Sequence, residues 1–353
     1  MSVDENKLNA FIEKAALDLS ACYGGVMVTL GSRLGLYQAM QGAGPLNSQE
    51  LAIKTGCAER YVREWLSSQA AGGYVEYYQE SDRYFLTEEQ ALVLADEESP
   101  YLIAPAWNVP ASMWLDEDQA VQAFKTGEGV PWGSHHERMY CGVSAFFRNA
   151  YKREVIPNWI PSLEGVVDML HRGARVADVG CGYGHSTILM AQEFPNSEFI
   201  GIEPHNGSLE AANKNVKEAG VQESVSFEGA TAQSYSTSDL DMICFFDCLH
   251  DMGDPIGAAK HARRALKDDG VIMLVEPFAN DNLKDNMNPV GRLYYSASTT
   301  LCCAHAISED PDGMALGAQA GEKRLREIFE EAGFSYFKRA YATDFNLIFE
   351  IRP

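Results

Sequence analysis

The residues best able to do chemistry are gathered in one run, Asp178-Val179-Gly180-Cys181-Gly182-Tyr183-Gly184-His185-Ser186. It follows the apolar pair Val176-Ala177 and reads as a short buried strand turning through glycines into a helix. Glycine is needed there because the turn visits conformations that a side chain disfavours, and because a ligand must approach the main chain closely. The spacing is G-x-G-x-G with an acid two residues ahead; a dinucleotide site would want a third glycine where His185 stands. Asp178 would repel a pyrophosphate, but it suits the cationic amino and sulfonium end of S-adenosylmethionine (SAM). A second acid, Glu203, closes the next apolar strand, Phe199 to Ile202, where a carboxylate can accept from both hydroxyls of a ribose.

Asp178-x-Gly180-x-Gly182-x-Gly184 resembles motif I of the class I SAM-dependent methyltransferases, and Ile202-Glu203-Pro204 resembles the acidic motif that follows it. From Gly35-Leu36-Tyr37 to Ala315-Leu316-Gly317 the chain resembles the Rv2258c-like bacterial subgroup, which carries an N-terminal winged helix and is related to small-molecule O-methyltransferases. The most particular stretch is Phe245-Phe246-Asp247-Cys248-Leu249-His250-Asp251-Met252-Gly253-Asp254-Pro255. The resemblance implies SAM as cofactor and S-adenosylhomocysteine as product, held by Asp178, Gly180, Gly182, Gly184, Glu203, Pro204 and Asp247. Class I enzymes often place Gly-Asp after the third strand. This chain has Gly229-Ala230-Thr231-Ala232-Gln233 instead, so Thr231, Ala232, Gln233 and backbone groups are expected at the adenine.

Methyl transfer from a sulfonium is an in-line displacement on an electrophile that is already activated, so the protein mainly supplies alignment and a dry pocket. A hydroxyl or thiol acceptor gains ~10²–10⁴-fold from a base that removes its proton. His250-Asp251-Met252-x-Asp254 resembles the His-Asp-Trp-x-Asp segment of small-molecule O-methyltransferases, which implies His250 as that base and Glu276 as its brace. Glu322 fits a second bracing position only with a one-residue shift. The plainer alternative makes His250 a helix-start residue and Glu276 a strand cap.

These residues need elements to hold them. After Pro161, strand and helix signals alternate to the end, with strands near 175–179, 199–203, 224–228, 241–246, 271–276 and 345–351. Such alternation means an α/β fold, a parallel-type Rossmann-like sheet covered on both faces. Ahead of it, Asn47-Ser48 caps a helix to Thr55, Ala58 to Ala71 gives a second, and Tyr74 to Tyr78 with Arg83 to Leu86 a hairpin. That is winged-helix order. Residues 6–40 read as two helices broken near Tyr23-Gly24-Gly25. The expected organisation is a winged-helix-like cap and dimerisation domain at 1–99, bridging helices and loops at 100–160, and a SAM-binding catalytic domain at 161–353 with a lid insertion at 282–321. Pockets favour domain junctions, so Trp132, His135, Phe146, Phe147, Arg148 and Tyr295 are candidate acceptor contacts, Arg148 for an anionic group.

Fifty acidic residues against 28 basic ones give a formal charge of −22, which opposes a nucleic-acid or anionic-membrane surface. The second helix of the winged unit sets Glu59 and Glu64 beside Arg60 and Arg63, nearly neutral. No run approaches the ~20 apolar residues of a membrane span, and Met1 to Ala10 lacks a secretory pattern. A cytoplasmic, homodimeric enzyme with reduced thiols is expected. The adjacent His135-His136 cannot readily face one ion, so no metal is expected. Two other classes stay open: a SAM-sensing regulator that uses the winged helix, and a SAM-fold enzyme that transfers no methyl group.

Overall fold

The structure, a computed structural model, describes residues 3–353. The chain divides into two compact units: residues through Ser112 with Glu137–Asn149, and Met113–His136 with Ala150–Pro353.

The N-terminal unit opens on α1 (Glu5–Arg33), capped by Asp4, whose side chain accepts from the Asn6 and Lys7 amides. The expected break at Gly24-Gly25 does not occur; α1 runs unbroken for 29 residues. Gly25 serves close packing, since a Cβ there would stand 2.7 Å from the Trp107 indole. Then come α2 (Leu36–Met40), α3 (Ser48–Thr55) and α4 (Glu59–Ala71). A capping box between Asn47 and Glu50 starts α3, and Gly56 at φ +68° ends it. The hairpin β1 (Glu76–Tyr78) and β2 (Arg83–Phe85) completes the winged helix, and α5 (Glu88–Leu94) follows. Its core gathers Val28, Leu36, Tyr37, Leu51, Trp65 and Leu66. Arg83 reaches back to the Glu50 carboxylate with both guanidinium nitrogens, tying the wing to α3.

The bridge of helices and loops holds α6 (Asn108–Leu115), α7 (Glu117–Thr126) and α8 (Glu137–Glu154). Met113 and Trp114 lie on α6, and Met139, Tyr140, Phe146, Phe147 and Tyr151 on α8.

The second unit is built on a seven-stranded sheet: β3 (Arg175–Val179), β4 (Glu198–Ile202), β5 (Val225–Glu228), β6 (Leu240–Phe246), β7 (Leu266–Pro277), β8 (Tyr336–Ala342) and β9 (Asn346–Arg352). Their spatial order is β5-β4-β3-β6-β7-β9-β8, with β3 to β7 parallel and β9 antiparallel to both its neighbours. Strand β8, which no sequence signal marked, reads Tyr-Phe-Lys-Arg-Ala-Tyr-Ala, lies on an outer edge and is largely exposed. Helix α9 (Val166–Arg172) leads into β3, and α10 (His185–Glu193), α11 (Asn206–Ala219), α12 (Pro255–Ala265) and α15 (Gly321–Glu331) lie in the connections between later strands. The segment 282–321 folds largely as α13 (Pro289–Thr300) and α14 (Cys302–Glu309). Past their first residues the central strands are buried through to their carboxyl ends, which is why they read as largely apolar runs.

Candidate active site

Chain order reverses between β3 and β6, and ligands of open α/β sheets bind outside the carboxyl strand ends at such a point. The acids Asp178, Glu203, Asp247 and Glu276 lie on or just past the carboxyl ends of β3, β4, β6 and β7, four neighbouring strands. Asp178 is buried, and its Oδ2 accepts from Ser186 Oγ and Thr187 Oγ1, each at 2.6 Å, in the first turn of α10. Its Oδ1 has no hydrogen-bond partner among the described residues. Burial raises the Asp178 pKa to about 6, against the pull of the two hydroxyls.

Gly182 sits at φ +53° with nothing within 4 Å of where a Cβ would stand, so a ligand can lie directly on the main chain. Gly180 is packed instead: at φ +74° its Cβ would meet Cys248 at 2.9 Å. Gly184, at φ +75°, precedes α10. Glu203 joins the loop to the next strand, Oε2 accepting from the Gly182 amide at 3.0 Å and Oε1 from the His205 amide at 2.9 Å. Burial raises its pKa, and the two amides offset part of that. Pro204 beside it is exposed. Beyond β5, Thr231 Oγ1 lies 2.8 Å from Ser234 Oγ, Ala232 is buried, and Gln233 Nε2 donates to the Asp254 carbonyl at 3.1 Å.

Asp247 has φ +50°, a conformation that Asp tolerates better than most residues. It is held from two sides that sequence reading did not find. Asn346 Nδ2, at the start of β9, donates to Oδ1 at 2.7 Å, and the buried Tyr151 hydroxyl stands 3.5 Å from Oδ2. Burial, and after it the charge of Glu276, pushes the Asp247 pKa well up. No local signal joins residues so far apart in sequence.

His250 lies on a single turn, Leu249–Asp251, past β6. Its Nδ1 is 2.6 Å from Glu276 Oε2, while Glu276 Oε1 accepts the Leu249 amide at 3.1 Å. His250 Nε2 stands 3.1 Å from Asp251 Oδ1, close but not aligned as a hydrogen bond. Burial disfavours the imidazolium, yet Asp251 and Glu276 outweigh it and hold the His250 pKa well above its usual range.

Glu322 does not brace His250. Its carboxylate takes Arg326 Nη2 and Arg339 Nε, each at 2.7 Å, because Arg326 lies one turn along α15 and Arg339 projects from β8.

The six candidate acceptor contacts divide between the units. Trp132, His135 and Tyr295 belong to the second, and Phe146, Phe147 and Arg148, on α8, to the first. Phe146 and Phe147 meet edge to face at 5.3 Å, and Arg148 Nε is buried without a hydrogen-bond partner among the described residues. His135 is buried with Nδ1 3.2 Å from Asp116 Oδ2, and burial lowers its pKa against the pull of Asp116. With Thr300 and Leu301 it lines a cavity of about 10 Å³, the size of one water.

An unpartnered buried carboxylate oxygen at Asp178, a bare glycine face at Gly182 and paired acceptors at Glu203 fit a cationic nucleoside such as SAM. Residues 170–333 match the family described as "Methyltransferase domain", and residues 22–96 the "Rv2258c-like winged HTH domain". The chain carries a SAM-dependent methyltransferase domain behind an Rv2258c-like winged helix. It is 32% identical over 123 residues to the uncharacterized methyltransferase YcgJ of Bacillus subtilis (strain 168), covering 34% of this chain and 47% of that one. The chain thus spans about half the length of this curated relative. Among solved structures, a putative O-methyltransferase of Nostoc punctiforme PCC 73102 covers 100% of both chains at TM-score 0.68 and 19% identity. Human N-acetylserotonin methyltransferase, solved with SAM, covers 100% of this chain and 99% of its own at TM-score 0.72 and 14% identity. These likenesses are of fold.

Proposed function

We propose that this chain transfers the methyl group of SAM to a hydroxyl, or to a thiol, of a small molecule, with His250 as general base. The observation that carries this reading is the contact of His250 Nδ1 with Glu276, at strand ends that also bear the cofactor-binding acids. SAM, when bound, supplies a methyl group already activated on sulfur. Glu203 would accept the ribose hydroxyls, Asp178 would offset positive charge, and Asp247 would lie beside the methionine portion. Glu276 holds the Nδ1 proton and so aims Nε2 for the acceptor's proton. Because Asp251 and Glu276 favour the imidazolium, His250 must shed a proton before it can serve.

Within the second unit, Trp132, His135 and Tyr295 would contact the acceptor, and 282–321 would cover it. A long insertion of this kind commonly forms a lid. The test is methyl transfer to a panel of small hydroxyl and thiol compounds by wild type and His250→Ala. The variant should lose ~10²–10⁴-fold in turnover and keep its SAM affinity. Unchanged turnover removes the base; SAM binding without transfer to any acceptor favours a sensor or a non-methylating enzyme.

We also infer a cytoplasmic homodimer paired through α1. Leu8, Phe11, Ile12, Leu17, Leu19, Tyr23, Val26 and Leu30 are all exposed on this one helix, an apolar surface that a second copy would cover. Arg60 and Arg63 of the winged helix pair with Glu64 and Glu59 at 2.6 Å, which suits a cap better than a phosphate-binding surface. Light scattering at micromolar concentration should give twice the chain mass, and a monomer overturns the pairing.

A further inference from the structure

Three potential metal ligands from two elements converge at the carboxyl edge of the sheet. His250 and Asp251 lie on the turn after β6, and Cys302 is the first residue of α14. One donor atom from each, an imidazole nitrogen, a carboxylate oxygen and a sulfur, lies within 4.8 Å of the other two. His250 and Cys302 are buried, and so is Asp251 Oδ1. Sequence spacing hides the set, because Cys302 is far along the chain from the other two. Helix α14 is fixed to the turn, since Glu309 near its end accepts the Gly253 amide at 2.9 Å.

The geometry calls for positive charge. His250 Nδ1 meets Glu276, so it must carry a proton there, and Nε2 then faces the Asp251 carboxylate at 3.1 Å. The imidazole nitrogen and this carboxylate oxygen are close enough to share one cation. A nitrogen, an oxygen and a sulfur form a donor set of the borderline-soft kind that suits zinc. A carboxylate behind the ligating imidazole, the place of Glu276, is the usual support of such a ligand. Three protein ligands would leave a fourth position open.

We propose that His250, Asp251 and Cys302 form a binding site for a thiophilic divalent cation of the zinc class, and that the bound cation switches methyl transfer off. Binding forms metal bonds to Nε2, to an Asp251 oxygen and to Sγ. It releases to solvent the Nε2 proton of the imidazolium and the Cys302 thiol proton. Affinity therefore rises with pH, and the cation must work against a thiol that burial and Asp251 push up to about 12. A ligated Nε2 has no lone pair left for an acceptor's proton. That last consequence rests on His250 being the base; the site itself does not. The neighbouring Cys303 is no part of it, since its Sγ faces Ser298 Oγ at 3.5 Å and the Ala315 carbonyl at 3.9 Å.

The test titrates the reduced full chain with Co²⁺ and follows the thiolate-to-cobalt charge-transfer band in the near ultraviolet, with Zn²⁺ as competitor. A saturable band that Zn²⁺ abolishes, that Cys303→Ser keeps and that Cys302→Ser and Asp251→Asn each lose is the expected result. SAM calorimetry on the same variants shows that they are folded. No band in wild type, or a band that survives in Cys302→Ser, overturns the site. Inhibition by Zn²⁺ in wild type but not in Cys302→Ser supports the switch. A Zn²⁺-sensitive band without inhibition keeps the site, overturns the switch and counts against His250 as base.

Discussion

Glu276 Oε2 lies 2.6 Å from His250 Nδ1 in a setting where both side chains are almost wholly buried. With its other oxygen on the Leu249 amide, the carboxylate fixes both the turn and the ring that the turn carries. Glu276→Gln keeps the shape and removes the charge, so the amide can meet Nδ1 in either tautomer. Turnover should fall by ~10²-fold or more while SAM affinity changes little. A variant with wild-type kcat would show that the pairing only supports the fold.

The pH profile carries a signed expectation. Asp251 and Glu276 overcome the effect of burial and keep His250 protonated to unusually high pH. As a base it works only when neutral, so kcat/KM should rise with pH through a limb well above the ordinary histidine range. Asp251→Asn should move that limb to lower pH. For stability the sign is opposite. His250 stabilises the fold fully below its unfolded pKa and loses that contribution as pH rises through the raised folded value. Burial opposes charge on Asp251, but His250 prevails and its pKa is lowered, so its contribution is present above the ordinary carboxylate range and lost in acid. Thermal melts against pH should show stability from this pair between those limits, and Asp251→Asn should flatten both edges.

Asp178 behaves in the reverse way. Burial raises its pKa from 3.8 to about 6, so the folded chain resists its ionisation. Its contribution to stability is full below pH 3.8 and lost as pH rises through about 6. Near neutral pH this amounts to about 3 kcal/mol, from ~1.4 kcal/mol per pKa unit. Asp178→Asn should therefore raise Tm at pH 8, with the gain fading toward pH 4, and should weaken SAM. For wild type, SAM affinity should drop as pH falls below about 6. A pH-independent Kd would remove Asp178 as a partner of positive charge.

At Gly182 a side chain would both strain a left-handed backbone and fill the bare face of the loop. Gly182→Val should abolish measurable SAM binding in calorimetry. Glu203→Ala removes a charged acceptor and leaves the Gly182 and His205 amides without theirs, for a loss of ~10–100-fold at about 1.5–3 kcal/mol per such bond. Binding that survives both changes would place the cofactor elsewhere.

Where the candidate site residues lie was largely legible, because their positions depend on short stretches of chain. The Asp178 to Gly184 turn, Glu203 after its strand, and His250 with Glu276 after neighbouring strands all follow from where parallel strands end. The winged helix was legible from the Asn47 cap, Gly56 and the hairpin. Contacts between distant residues were not. Asn346 on Asp247 and Cys302 beside His250 depend on how β9 and α14 return to the sheet edge. Glu322 was misplaced because arginines on α15 and β8, which no motif marks, compete for it. The helix α1 passes through Gly24-Gly25 because the cost of glycine in a helix, ~1 kcal/mol each, is small beside the packing that Gly25 permits against Trp107.

The order of the sheet also bears on how the chain reaches its native state. Strand β9 lies between β7 and β8, so β8 can join the sheet only through it. Until the β8–β9 hairpin docks, β7 presents an open edge along Val271 to Val275, all of them apolar and buried in the finished sheet. A partly folded molecule with every earlier element in place thus still displays an adhesive strand, the kind that draws other chains into aggregates. Docking covers that edge and in the same movement delivers Asn346 to Asp247. One hairpin thus serves two ends, closing an adhesive edge and placing the amide that holds Asp247.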